Sequence, residues 1–577
     1  MITLNNINLS SIDLSGIDLR GIKLGLGGRG GSGDGFPQLP GDVTRWHFGG
    51  LTNEMMAAMD DPRLEDADGK GRFLSFKNFA WSGMSGVGGY VQNFNGFRNN
   101  TTVDKVRIDE QSSNSVKVTI LTTGIGNAIF IIKNIYQFNK SYFIKISSEG
   151  YNEGDLSLSF YAPSTSTATT VKVPLNPNGI TEIPAIKEDD FLAVYLNVGG
   201  KVGSITIEQL PLYPGFILGD GVDDFAVTEK ELNFEDTYTV YTAFIPFQDD
   251  PIKNMIVCGK DYKKDFYINY STQLVFYTAN STKSIPLHIN QFTVLLCKRD
   301  KTTGVIKNLV TGESFQFSVS QLISNPGLYY LWRSATVFSY GKTAIAGQTI
   351  CNGYFSTDED DENILNWHKK QYPWLFPDQA WTVTGKTNED KDRATIANIT
   401  GNGNDLVLSN FGFAEGSGYN EEGEYAGYLV TDGVDDQIIS SSFEMGKDFT
   451  IVGDWEFLPI DKLNYTSIHK GNNLVLYNNS TGVILHLNQL ATGIHLDIKR
   501  LNAICSDGRV YDKNWNEIVV YTPEEGVIST AKLMIGGNNN DRFTPLIFKN
   551  LGIYNNQILS KDDCIKAYNY LQTLKAK

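Results

Sequence analysis

Phe216-Ile-Leu-Gly-Asp220-Gly-Val-Asp-Asp224 and Tyr428-Leu-Val-Thr-Asp432-Gly-Val-Asp-Asp436 are two copies of one phrase, an apolar run followed by Asp-Gly-Val-Asp-Asp. Each copy opens a long stretch of β-like sequence that closes on a polar, helix-like tail. A repeat of this size means one fold used twice in tandem. Asp-Gly supplies the positive φ of a tight hairpin turn, and the other acids solvate the loop. The same acids also offer carboxylates to Ca²⁺: Asp220, Asp223 and Asp224 in one copy, Asp432, Asp435 and Asp436 in the other. Calcium takes about six to eight oxygens, of which a turn supplies three carboxylates at most. A structural turn and a calcium site both remain open at this point.

Working outward, the two modules span 215–377 and 425–577, and their endings correspond. Leu533-Met-Ile-Gly536 answers Val337-Phe-Ser-Tyr-Gly341, and Phe548 to Tyr554 answers Ile350 to Phe355. Ser560 and Thr357 then read as helix N-caps, with acids in the first turn that complement the helix dipole. A second repeat lies upstream. One copy runs from Gly69-Lys-Gly71 to Asn78-Phe79 and a glycine-rich loop ending at Tyr90. The other runs from Gly401-Asn-Gly403 to Asn410-Phe411 and a similar loop ending at Tyr419. Residues 37–90 and 378–424 are therefore expected to be small connecting elements. Residues 91–214 alternate at period two, as in Val116-Lys-Val-Thr-Ile120 and Leu156-Ser-Leu-Ser-Phe160, and predict a β-sandwich.

At the N-terminus Ile12, Ile17 and Ile22 recur five apart, as do Leu14, Leu19 and Leu24. Ile and Leu at i, i+2 share one face of an extended segment. Such a strip either docks on another surface or forms an edge strand of the next domain. Gly25 to Gly35 is a flexible linker by composition. Residues 1–36 are thus a candidate docking arm.

The formal charge of −16 and the lack of a Lys/Arg run argue against nucleic-acid binding. The most apolar stretch, Ala128 to Ile135, is interrupted by Lys133 and too short to insert in a membrane. The N-terminus has no secretion-signal pattern. Five widely spaced cysteines without a CxxC pair predict buried free thiols and synthesis in a reducing cytoplasm.

Catalytic signals are sparse. The Glu-x-Asp-x-x-Glu string that sets acid and nucleophile on one strand is missing from both modules. Asp454 and Glu456 are the best paired carboxylates, but Ala243 and Ile245 hold the equivalent positions in the first module. His486 and His495 lie on apolar strands and read as sandwich residues. Trp81, Trp332, Trp374, Trp381 and Trp515 are candidate sugar platforms, with core packing as the competing role. Trp374 and Trp381 fit a brace between modules.

These residues resemble a laminin G-like, concanavalin A-type jelly roll. Such domains open with an Asp-Gly-x-Asp-Asp turn and close with a strand carrying Ile-Tyr and a Leu-Ser/Thr-acidic helix. Residues 91–214 resemble a carbohydrate-binding-module sandwich. The whole arrangement is similar to virion proteins of crAss-like bacteriophages of gut Bacteroidales. The resemblance implies an all-β, non-enzymatic virion protein, a head fibre or other projecting fibre subunit made in the bacterial host cytoplasm. It further implies docking through the N-terminal arm on capsid or tail proteins, and a homo-oligomer, with a trimer favoured. A tail adhesin for host glycans and a polysaccharide-degrading enzyme are the alternatives.

Overall fold

The computed structural model describes residues 35–576 apart from 134–136, 138–139, 163–169, 187–190, 248–254, 261–265, 272, 279–280, 321–326, 334–339, 424, 459–464, 472–473, 480–481, 488–489, 497–499, 520–527 and 538–542. The described chain is almost entirely antiparallel β. Six sheets pair into three sandwiches, and three α-helices accompany them. The helices are α1 (Asn53–Ala57), α2 (Asp358–Gln371) and α3 (Lys561–Thr573). Among the described residues no helix is long and apolar enough to cross a membrane.

The stretches expected to be connectors are parts of the modules. Asp42–His47 pairs along Thr343–Asn352, a long inner strand of the first module. Phe73–Lys77 pairs with Phe225–Thr228, and Gly86–Val87 with Ile217–Leu218. In the second module Gln379–Thr382, Leu406–Ser409 and Gly418–Tyr419 take the same places beside Leu546–Asn555, Gln437–Ser442 and Leu429–Thr431. Each module is therefore about a third longer than the sequence suggested, and the repeat upstream of each is its own first quarter.

The sandwich of 91–214 is inserted into the first module. In the second module the chain turns back after Gly418–Tyr419 through a short loop, closed by Asn420 N–H to Tyr428 O at 2.9 Å and Gly427 N–H to Asn420 O at 2.7 Å. At the matching place in the first module, Gly88 N–H donates to Phe216 O at 2.8 Å and Tyr213 N–H to Gly88 O at 2.8 Å. The insert leaves and returns through two hydrogen-bonded neighbouring strands, so the host sheet is undisturbed. It forms two five-stranded sheets around Val116, Ile129, Ile144, Phe160 and Leu196.

Asp-Gly-Val-Asp-Asp does not close a hairpin. Ile217–Leu218 belongs to one sheet of its sandwich and Phe225–Thr228 to the other. The turn is a corner where the chain crosses between sheets, and Leu429–Thr431 and Gln437–Ser442 repeat it.

Alternation fills the cores. On the central strand Tyr238–Pro246, Val240 and Phe244 enter the first module's core, while Tyr241, Ala243 and Ile245 face away from it. That outer face is buried too, because the three sandwiches share a fourth core. Phe143 and Ile180 of the insert, Trp374 and Ala243 of the first module, and Trp515, Tyr568 and Tyr570 of the second meet there. The helix α3 is its hub. Tyr568 packs edge-on against Phe143 at 5.4 Å, Phe292 N–H donates to Tyr570 Oη at 3.1 Å, and Asn290 Nδ2 donates to Thr573 O at 3.0 Å.

Both long helices start as expected. Thr357 forms a capping box with Asp360, which accounts for the acid run Asp358 to Glu362, and Ser560 accepts from Asp563 N–H. What holds each helix to its sheet differs. In the first module Lys298 and Asp361 form a buried ion pair at 3.0 Å, with Tyr241 Oη and Ser356 Oγ also donating to Asp361. In the second module the matching positions are Cys505 and Cys564, both buried free thiols. All five cysteines are buried and free.

A second exchange concerns size. Trp332 holds φ +61°, and a Cβ on Gly219 would meet its Cδ1 at 2.5 Å. The equivalent pair in the second module is Thr431 and Gly536, the latter at φ +84°. Large and small have swapped sides. Gly536 therefore corresponds to Trp332, and the sequence pairing of Gly536 with Gly341 was one strand end too late.

Candidate functional site

The six aspartates assemble into two matching clusters. In each, one carboxylate oxygen per residue lies within 4.8 Å of the others. Asp220 Oδ1 accepts from Val222 N–H at 2.7 Å, and Asp224 Oδ2 from Asp220 N–H at 2.9 Å. The second corner repeats both bonds: Asp432 Oδ1 accepts from Val434 N–H at 2.7 Å, and Asp436 Oδ2 from Asp432 N–H at 2.9 Å. The two upstream repeats meet the acidic turns here. Asn78 Nδ2 donates to Asp223 O at 3.0 Å, and Asn410 Nδ2 to Asp435 O at 3.0 Å. Both asparagines sit at φ +68°, the left-handed region that Asn enters at least cost among residues with a side chain. Two crossings between sheets, distant in sequence, are thus tied into one corner.

Asp224 and Asp436 are fully buried. Burial pushes the Asp224 carboxyl up to about 7, opposed by the Ser85 hydroxyl and the Asp220 amide and assisted by Asp220 and Asp223. Burial lifts Asp436 to about 6, opposed by the Asp432 amide and Ser417, whose Oγ donates at 3.1 Å. A cation would relieve this concentration of negative charge, so the donor set fits a hard divalent ion. The corner also stands as structure, since an oxygen of each buried Asp and of Asp220 and Asp432 already accepts a backbone N–H.

Asp454 is drawn into a buried network between the second module and the insert. Arg500 Nη2 lies 2.9 Å from Glu182 Oε2, on the insert, and 3.3 Å from Asp454 Oδ1. Arg500 also donates to Tyr568 Oη, and Tyr428 Oη and Gln572 Nε2 donate to Asp454 Oδ2, each at 3.0 Å. Burial raises the Glu182 carboxyl, and Arg500 opposes it. Glu456 is half-buried on the same strand. The strongest paired-acid candidate is thus an element of domain docking. Ala243 and Ile245 do hold the matching first-module positions, by the registers of the two central strands.

All eight tryptophans are buried, the most exposed being Trp81 at 8%. Trp374 and Trp515 lie in the shared core, Trp332 and Trp81 in the first module's, and Trp381 in the second's, its Nε1 donating to Asn404 O at 3.0 Å. His486 is half-buried between core leucines; the side chain of His495 lies outside the described residues, as does the candidate arm up to residue 34.

Sequence reasoning missed an aromatic group on the insert, Phe130, Tyr161 and Tyr195, spread over three strands. Its signal was the aromatic at an outward parity position, legible only once strand order is known.

No family model matches the chain, and no curated protein sequence matches it. Among solved structures it is similar to the binding domain of botulinum neurotoxin DC in complex with SialylT, at 9% identity over 56% of this chain and 87% of that one, TM-score 0.24. It is similar to the binding domain of Paraclostridial Mosquitocidal Protein 1, at 9% identity over 58% and 85%, TM-score 0.26. It is also similar to domain 4 of AbnA, a GH43 extracellular arabinanase from Geobacillus stearothermophilus, in complex with arabinotriose, at 14% identity over 26% and 80%, TM-score 0.18. Likenesses at this level say nothing of what this chain binds.

Proposed function

We propose that this chain is a non-enzymatic structural protein of a bacteriophage virion, a head fibre or other projecting appendage subunit of the crAss-like kind. It is made in the bacterial cytoplasm, docks on capsid or tail proteins through its N-terminal arm, and assembles as a homo-oligomer, with a trimer favoured. The observation that supports this reading is the shared core. Three sandwiches locked around α3 make a stiff body, as a projecting subunit requires, and the best paired acid is spent on that locking. Phe36, at the end of the arm, packs edge-on against Trp367 of α2 at 5.0 Å, giving the arm a fixed root. Deleting residues 1–34 should abolish incorporation into particles while leaving the body's unfolding transition in place. Normal incorporation of the truncated chain would sink the proposal.

Calcium at the two corners belongs to the same reading. Calorimetry of EDTA-treated protein with Ca²⁺ should give two sites, lost with Asp224→Asn and Asp436→Asn; the lack of any heat would end it. The alternative of a glycan-binding adhesin is favoured by one observation, the aromatic face of the insert.

A further inference from the structure

The insert uses its two outer faces differently. One carries Phe143, Ile180 and Glu182 and is buried against the second module. The other belongs to the sheet of Val171–Pro174, Ser157–Tyr161, Ala193–Asn197, Asn127–Ile132 and Arg98–Asn99. The ladder registers set a row straight across all five strands: Lys172 opposite Ser159, Ser159 opposite Tyr195, Tyr195 opposite Phe130, and Phe130 opposite Arg98. Their neighbours Leu158, Ile129, Ile131, Val194 and Leu196 fill the insert's core. By the pleat, the row therefore points outward.

The middle of this row is aromatic. Phe130 and Tyr195 stack with centroids 5.6 Å apart and planes inclined by 26°, and Tyr161 meets Tyr195 edge-on at 6.0 Å. Tyr161 is 43% exposed and Ile132, on the next rung, 44%. Arg98 and Lys172 close the two ends, both exposed. On the adjoining rung Asn197 Nδ2 donates to Asn127 Oδ1 at 3.2 Å, leaving further amide donors and acceptors at the edge of the rings. Five strands at about 4.8 Å spacing make the row roughly 19 Å long.

We infer that this face binds a polysaccharide. A pyranose ring has an apolar C–H face that stacks on an aromatic and a rim of hydroxyls that needs donors and acceptors. Both halves of that demand are met here, with Asn127, Asn197, Arg98 and Lys172 around the rings. The rings also brace one another, so little side-chain freedom is lost on binding. A protein partner is a poorer match. A stable interface buries about 800 Å² per side around an apolar centre, and this stripe has only three rings and one isoleucine. The inference deepens the adhesin alternative and stands apart from the virion reading, whose failure would show in particle incorporation and not in sugar binding.

The test uses the full chain on an array of bacterial and plant polysaccharides, followed by affinity electrophoresis on the polymers retained. The wild type should be retarded by at least one of them. Tyr161→Ala and Phe130→Ala should each weaken that retardation about tenfold, the size of one lost stacking contact. Phe315→Ala removes an equally exposed ring, 44%, from the first module and should change nothing. Melting curves of the variants matching the wild type would keep the comparison free of misfolding. Failure to bind any polysaccharide, or wild-type binding by both variants, overturns the inference. So does self-association that Tyr161→Ala abolishes, because the face would then join copies of this chain.

Discussion

The two jelly rolls share strand order, corners and caps, yet they solve three local problems in opposite ways. One holds its helix with Lys298 and Asp361, the other with Cys505 and Cys564. One fits tryptophan against glycine, the other threonine against glycine on the reverse side. One opens a hairpin to admit a whole sandwich, the other closes it in a short loop. What stays the same, the acidic corner pinned by an asparagine, is what the topology needs; what varies is how space and charge are filled around it. A fold of this kind is specified by its crossings between sheets and tolerates exchange at its packed contacts, provided partners change together.

The sharpest break between the copies is the helix seat. Asp361→Ala strands Lys298 in the interior and should cost about 3–5 kcal/mol in urea unfolding. Cys564→Ala removes a small buried group and should cost about 1–2 kcal/mol. Equal losses would erase the distinction. Next is the size exchange. Gly219→Thr drives a side chain into Trp332 and should cost about 1–3 kcal/mol. Combined with Trp332→Gly, the double variant should lose less than the sum of the single losses, and strict additivity would show that the two positions are uncoupled.

The corners should behave alike. Asn78→Ala and Asn410→Ala each give up a hydrogen bond and put alanine at a left-handed φ, for about 1–2 kcal/mol apiece. A marked inequality would mean that one corner has another support. The smallest effect is in pH. The folded-state carboxyls of Asp224 and Asp436 lie above their ordinary value of 3.8, so the folded chain holds protons that the unfolded chain has released. Stability should therefore fall as pH rises from about 4 to about 7 for Asp224, and to about 6 for Asp436. Asp224→Asn should flatten the wider window and Asp436→Asn only the narrower one, read as unfolding midpoints against pH.

Much of the fold was legible in the chain. Period-two alternation gave the all-β class, Asp-Gly-Val-Asp-Asp gave the repeat, and Thr357 and Ser560 gave the helix starts. The extent of each module was not, because the insert parts Gly86–Val87 from its pairing strand Ile217–Leu218 by more than a hundred residues. Contiguity suggested connectors where pairing makes strands. The structure brings the six candidate acids together as two groups of three. Sequence could not say that Asp224 and Asp436 are buried, or that Asp454 serves an Arg500 bridge to Glu182, since both depend on contacts between sheets or domains. The tryptophans were ambiguous for the same reason, and the exposed ring system lay in phenylalanine and tyrosine instead.

The paired strands at Gly88 and Tyr213 have a consequence for how such a protein changes over generations. Entry and exit of the insert lie side by side, so a single recombined segment between residues 89 and 212 can replace the whole insert without touching the host sheet. The incoming segment must still bring a Phe143, an Ile180 and a Glu182 to meet α3 and Arg500. Drift is thereby confined to the outward sheet, while the packed face of the insert and the host module beneath it keep their contacts.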